Sequence, residues 1–168
     1  MDTSFRRILW QQFGASIDMM ENAVRACPET LWADRSRNPE FWYVVFHALF
    51  FLDYYLSESA EGFAPPPPFT LDELDPAGIL PDRPYTKDEL LEYLEHGRNK
   101  VRILLEAMTE EGAHAARKFG RVEGPLVESL LYNMRHVQHH AAQLNLLLRQ
   151  EVADAPRWVS RARGPFAG

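Results

Sequence analysis

Phe41-Trp42-Tyr43-Val44-Val45-Phe46-His47-Ala48-Leu49-Phe50-Phe51-Leu52 and Asn133-Met134-Arg135-His136-Val137-Gln138-His139-His140-Ala141-Ala142-Gln143-Leu144 say most about how this chain folds. Both are apolar segments interrupted by histidine. His136 and His140 stand four apart, so on a helix they share a face, turned by about 40° and displaced by about 6 Å. Two imidazoles so placed can grip one divalent metal. His47, on a facing helix, would complete a three-histidine set.

Four helical stretches are expected. The first runs from about Thr3 to Ala26, with Leu9, Phe13, Met20 and Val24 at helical spacing, and Pro28 closes it. The second is placed from Pro39, with Asn38 as its N-cap, and carries Phe41 to Leu56 before fading over Ser57 to Gly62. A long connection follows, from Gly62 to Tyr85, containing Pro65-Pro66-Pro67-Pro68. Connections of this length usually have a role: crossing the bundle from end to end, walling a pocket, or both. Thr86-Lys87-Asp88-Glu89 is a capping box that starts the third helix, and Gly112 is read as its end. The fourth opens near Gly124-Pro125 and runs to about Glu151. No alternating strand pattern and no Asn-Gly or Asp-Gly turn is present, so no β structure is expected. The fold class is all-α, a four-helix bundle with a long crossover between helices 2 and 3.

At 168 residues the chain fits a single bundle, placed at 1–155, with a tail over 156–168. The basic cluster Arg157, Arg161 and Arg163 in that tail reads as a solvated end or as a strap across the bundle. A net charge of -6 argues against nucleic acid as a partner, because phosphate neutralisation needs a Lys/Arg surplus. The apolar run from Phe41 to Leu56 is too short to span a membrane and contains His47 and Asp53. The N-terminus lacks the apolar region of a signal peptide. A single cysteine, Cys27, leaves no internal disulfide and fits a reducing cytoplasm, the expected location. It reads as a buried filler, not a nucleophile.

A lone buried histidine is more often hydrogen-bonded core than a ligand, and neither His47 nor the His136–His140 pair is decisive alone. Together they are stronger, since bundles commonly build metal sites from inward side chains on facing helices. Three imidazoles suit Zn, Ni, Cu or Fe and leave a coordination position open. His139 falls on the flank of the strip, and Asn133 and Gln143 flank the pair, where each could orient an imidazole or a bound water. Val137 stands where a His-Glu-x-x-His protease needs its glutamate, which excludes that chemistry. His96 and His114 lie in polar surroundings and are expected at the surface.

Trp42-x-x-x-x-His47, the long crossover and Arg135-His136-x-x-His139-His140-x-x-Gln143-Leu144 together resemble the DinB/YfiT-like superfamily of metal-binding four-helix bundles. The resemblance covers nearly the whole chain. It implies a divalent ion, zinc or nickel, on His47, His136 and His140. It also implies an activity: characterised members include thiol S-transferases that use bacillithiol, mycothiol or glutathione, and a maleylpyruvate isomerase. The partners implied are therefore a small-molecule thiol and an electrophile, and related bundles often pair as homodimers. The alternative is a non-catalytic, metal-stabilised dimeric bundle. No residue of the chain is assigned a catalytic role by these patterns.

Overall fold

Leu9, Phe13, Ile17, Met20 and Val24 fall on one side of a helix, and all five are buried. They define α1, Thr3–Ala26, in a computed structural model that describes residues 3–120 and 122–166. Pro28 ends α1 as expected and leads into a single further turn, α2, Glu29–Trp32. The Trp32 indole donates to the Tyr85 carbonyl at 2.9 Å and so ties this turn to the far end of the crossover.

The second bundle helix, α3, is Phe41–Tyr55. It starts two residues later than expected and Asn38 is not its cap. Glu40 holds the extended N-cap conformation without a side-chain capping bond, because its carboxylate accepts from the Trp42 indole at 2.8 Å instead. The third, α4, Lys87–Ala107, begins on the expected capping box: the Glu89 amide donates to Thr86 Oγ1 at 3.2 Å, and the Thr86 amide to Glu89 Oε2 at 2.8 Å. It stops short of Gly112. Met108 turns extended, and the Thr109 hydroxyl accepts from the Gly112 amide at 2.9 Å to cap a separate turn, α5, Glu110–His114. A threonine that can cap a new turn competes with continuing the old one.

A short antiparallel hairpin follows, which the sequence reading excluded. Strand β1, Ala116–Phe119, pairs with β2, Val122–Pro125, with Ala116 opposite Pro125 and Phe119 opposite Val122. Four-residue strands are too short for alternation to register, and the left-handed turn position is Gly120 (φ +59°), preceded by Phe119 and not by the usual Asn or Asp. Phe119 pins the hairpin to the bundle against the Tyr54 and Tyr55 rings, 5.1 and 5.9 Å away. The last helix, α6, is Leu126–Val152.

α1, α4, α3 and α6 pack as a closed ring of four in that order. α3 and α4 run parallel: Trp42 and Tyr85 meet at one end, while Lys100 reaches the Asp53 carbonyl (3.0 Å) and carboxylate further along. Parallel neighbours cannot be joined by a tight turn, so the connection must travel back the length of the helix. α6 runs antiparallel to α3, with His47 beside His136 and His140, and Tyr55 beside Tyr132. The Asn133 amide donates to the Leu52 carbonyl at 3.0 Å across this seam. The fold is thus all-α apart from the hairpin.

Residues 156–166 lie against α1. The Ala162 amide donates to the Gln11 carbonyl at 2.9 Å, the Arg163 amide to buried Asp18 at 2.6 Å, and Phe166 stacks on Trp10 at 5.9 Å. Gly14 admits the strap, since a Cβ there would stand 2.6 Å from the Ala162 methyl. Asp18 also takes Arg98 from α4, whose guanidinium reaches Glu21 at 2.5 Å and Glu95 at 2.9 Å. Among the described residues no helix is long and apolar enough to cross a membrane.

Candidate metal centre

On α3 the residues Tyr43, His47, Phe51 and Tyr55 recur every four positions, and all four are half-buried between fully buried neighbours. Opposite them, α6 presents Tyr132, His136, His140 and Gln143. The two stripes form an aromatic seam with imidazoles at its middle. One ring nitrogen from each of His47, His136 and His140 lies within 4.8 Å of the others. The structure therefore brings together the three histidines read from the sequence.

The donor set fits a divalent ion. His136 Nε2 and His140 Nε2 are 3.1 Å apart. Ligands at about 2.0–2.1 Å in a tetrahedral zinc site stand roughly 3.3–3.4 Å from each other, so little adjustment is needed. Burial, aided by the neighbouring imidazoles, depresses the pKa of His136 to about 3. Burial chiefly, with His47 beside it, depresses that of His140 to about 4. Both rings are accordingly neutral at pH 7, which leaves lone pairs for a metal.

Two side chains set which nitrogen faces the centre. Gln143 Oε1 lies 2.8 Å from His140 Nδ1. With the amide oxygen there, Nδ1 carries the hydrogen and Nε2 is the acceptor. Glu73 Oε2 lies 2.7 Å from His47 Nδ1 and demands the same tautomer. A carboxylate behind a histidine is the usual support of a metal ligand. Glu73 belongs to a 3₁₀ turn, Asp72–Leu74, in the middle of the crossover, and only 5% of its side chain is exposed. The Tyr43 phenol stands near the same carboxylate, and its pKa is raised, first by burial and then by Glu73.

Glu73 was not singled out in the sequence. It lies 26 positions from His47, in a segment without periodicity. The only signal was the length of the crossover, which both crosses the bundle and walls the site. His139 is exposed, with its ring 5.1 Å from that of His140, and is outside the cluster. Asn133 is fully buried and its amide donor is engaged by α3, while among the described residues its oxygen and His136 Nδ1 are buried without a partner. His114 is exposed, as expected. His96 is exposed too, with its Nε2 3.3 Å from buried Asp53, which also accepts from the Tyr93 hydroxyl at 3.1 Å. Cys27 is buried, and that burial pushes its thiol pKa up to about 12, which makes it a poor nucleophile.

A ring of four long helices with a parallel crossover carries, on the seam between α3 and α6, a three-histidine cluster that could hold a metal ion, which defines the class of the protein. The family model of the DinB superfamily matches residues 12–144, and the chain belongs to that superfamily. A search of the curated proteins finds no match.

Proposed function

We propose that His47, His136 and His140 hold one divalent ion, zinc or nickel, and that the protein uses it to transfer a small thiol to an electrophile. The observation that carries the reading is the convergence of three ring nitrogens, with the His140 and His47 tautomers set so that Nε2 faces the centre. Three protein ligands leave room for an exchangeable one, the arrangement of a reactive site in preference to a closed structural one.

When bound, such an ion supplies the positive charge that lets a thiol ionise near neutral pH. The chain's own residues do the rest. Glu73 and Gln143 fix two imidazoles against rotation. Phe51 and Tyr55 pack against the His136 ring, with centroids 5.7 and 6.3 Å away, and keep water from that side. The Tyr43–Glu73 pair closes the other side. An apolar electrophile fits such walls, and a sulfur nucleophile needs no general base once ionised.

Turnover of a reporter electrophile by protein stripped of metal and reloaded with zinc or nickel tests this reading, with bacillithiol, mycothiol, glutathione and cysteine as the thiols. Metal-dependent turnover with at least one thiol, lost in His47→Ala, is expected. Stoichiometric metal without turnover for any thiol would favour the alternative, a metal-stabilised bundle, dimeric or not, that catalyses nothing.

A further inference from the structure

A cavity of about 600 Å³ opens as a groove where α1, α6 and the C-terminal strap meet. It shares His136 with the metal cluster and so opens beside it. Its lining is chemically unusual for this chain. The sequence holds 24 acidic against 18 basic residues, yet no Asp or Glu lines the groove. What does line it is one guanidinium, Arg135, the imidazoles of His136 and His139, amide and hydroxyl groups such as Gln138 and Ser16, and the Trp158 ring. Arg135 has no hydrogen bond, ion pair or ring contact among the described residues.

Trp158 is held at the groove by the strap. Two residues further on, the Ser160 carbonyl accepts from Gln12 Nε2 at 3.4 Å, and Ala162 is bonded to α1. Trp158 is 68% exposed, whereas Trp10, Trp32 and Trp42 are at most 5% exposed. An indole left in water and an unpaired guanidinium lining the same groove provide a flat apolar contact and an anion contact together.

We propose that this groove binds a small anionic molecule with a planar apolar body, its carboxylate or similar anion on Arg135 and its body against Trp158. It goes beyond the proposed function by naming the kind of molecule delivered next to His136, and it rests on that reading only for what happens to the molecule afterwards. The groove also gives the strap a role in recognition.

Trp158 is the built-in reporter. We would titrate the purified protein, its metal content measured, with 4-nitrobenzoate and with its uncharged analogue 4-nitrobenzamide, following quenching of the exposed tryptophan. Saturable quenching by the carboxylate is expected, with the amide bound about tenfold more weakly or worse, as loss of a charge-assisted hydrogen bond implies. Arg135→Met should abolish that preference, and Trp158→Phe should remove the quenching while calorimetry still detects the carboxylate. Equal binding of the two probes, no saturation with either, or a preference that survives Arg135→Met would overturn the proposal. Carboxylate binding that survives Arg135→Met but vanishes in His47→Ala would place the anion on the metal and overturn it too. Each of these failures leaves metal content and thiol turnover as separate measurements, so it is distinguishable from failure of the proposed function.

Discussion

Glu73 is the residue on which the proposed centre depends most after the histidines themselves. Its carboxylate holds His47 in one tautomer, with the Tyr43 phenol near it. Glu73→Gln keeps the shape but offers an amide where an anion stood, so zinc affinity in a competition titration should fall roughly 10–100-fold. An unchanged affinity would show that His47 needs no such support. Acid should act on the other two histidines. His136 and His140 titrate near 3 and 4 when folded, against 6.5 in an unfolded chain. Between those values the unfolded state takes up the protons and the folded state does not, so stability is lost as pH falls from about 6.5 towards 4. Metal-free protein followed by chemical denaturation should weaken over that window, and a flat profile would argue against neutral buried imidazoles. The His136–His140 pair was legible because helical spacing of four is a local rule, and His47 because it interrupts an apolar helix. Glu73 was not, because the turn that carries it has no periodicity and is positioned only by the path of the crossover.

Helix boundaries at α3 and α4 show how far local chemistry reaches. Thr86 and Glu89 form both bonds of the capping box, and Thr86→Ala should cost about 1 kcal/mol in urea denaturation. The same kind of residue defeated the expected end of α4: Thr109 caps a turn of its own, and Gly112 lies inside that turn. Asn38 was equally plausible as a cap, but the Trp42 indole drew the helix start towards Glu40. The hairpin was missed for a different reason, since its pairing is held by Phe119 against α3 and not by any pattern within eight residues. At the far end, α6 finishes on Ala153 in the left-handed conformation (φ 56°). Glycine adopts that conformation without the Cβ clash, so Ala153→Gly should raise stability by roughly 0.5–1 kcal/mol. A loss of stability would mean that the methyl group makes a contact worth more than the strain.

Across the whole molecule, buried charge joins parts that are distant in the chain. Asp18 of α1 meets Arg98 of α4 and the backbone of the strap at Arg163, all at a position 1% exposed. Asp18→Ala should destabilise the protein by about 3 kcal/mol, because Arg98 stays buried with less compensation. It should also loosen the strap, seen as faster amide exchange at residues 160–165. The three-histidine cluster joins the molecule in the same way, linking α3 to α6 and, through Glu73, to the crossover. X-ray absorption at the metal edge, on protein purified without added metal, tests that claim most directly. The account predicts one zinc or nickel per chain with three imidazole nitrogens at about 2.0–2.1 Å, falling to two or none in His47→Ala. A metal-free protein, or an ion whose coordination is the same without His47, would contradict it.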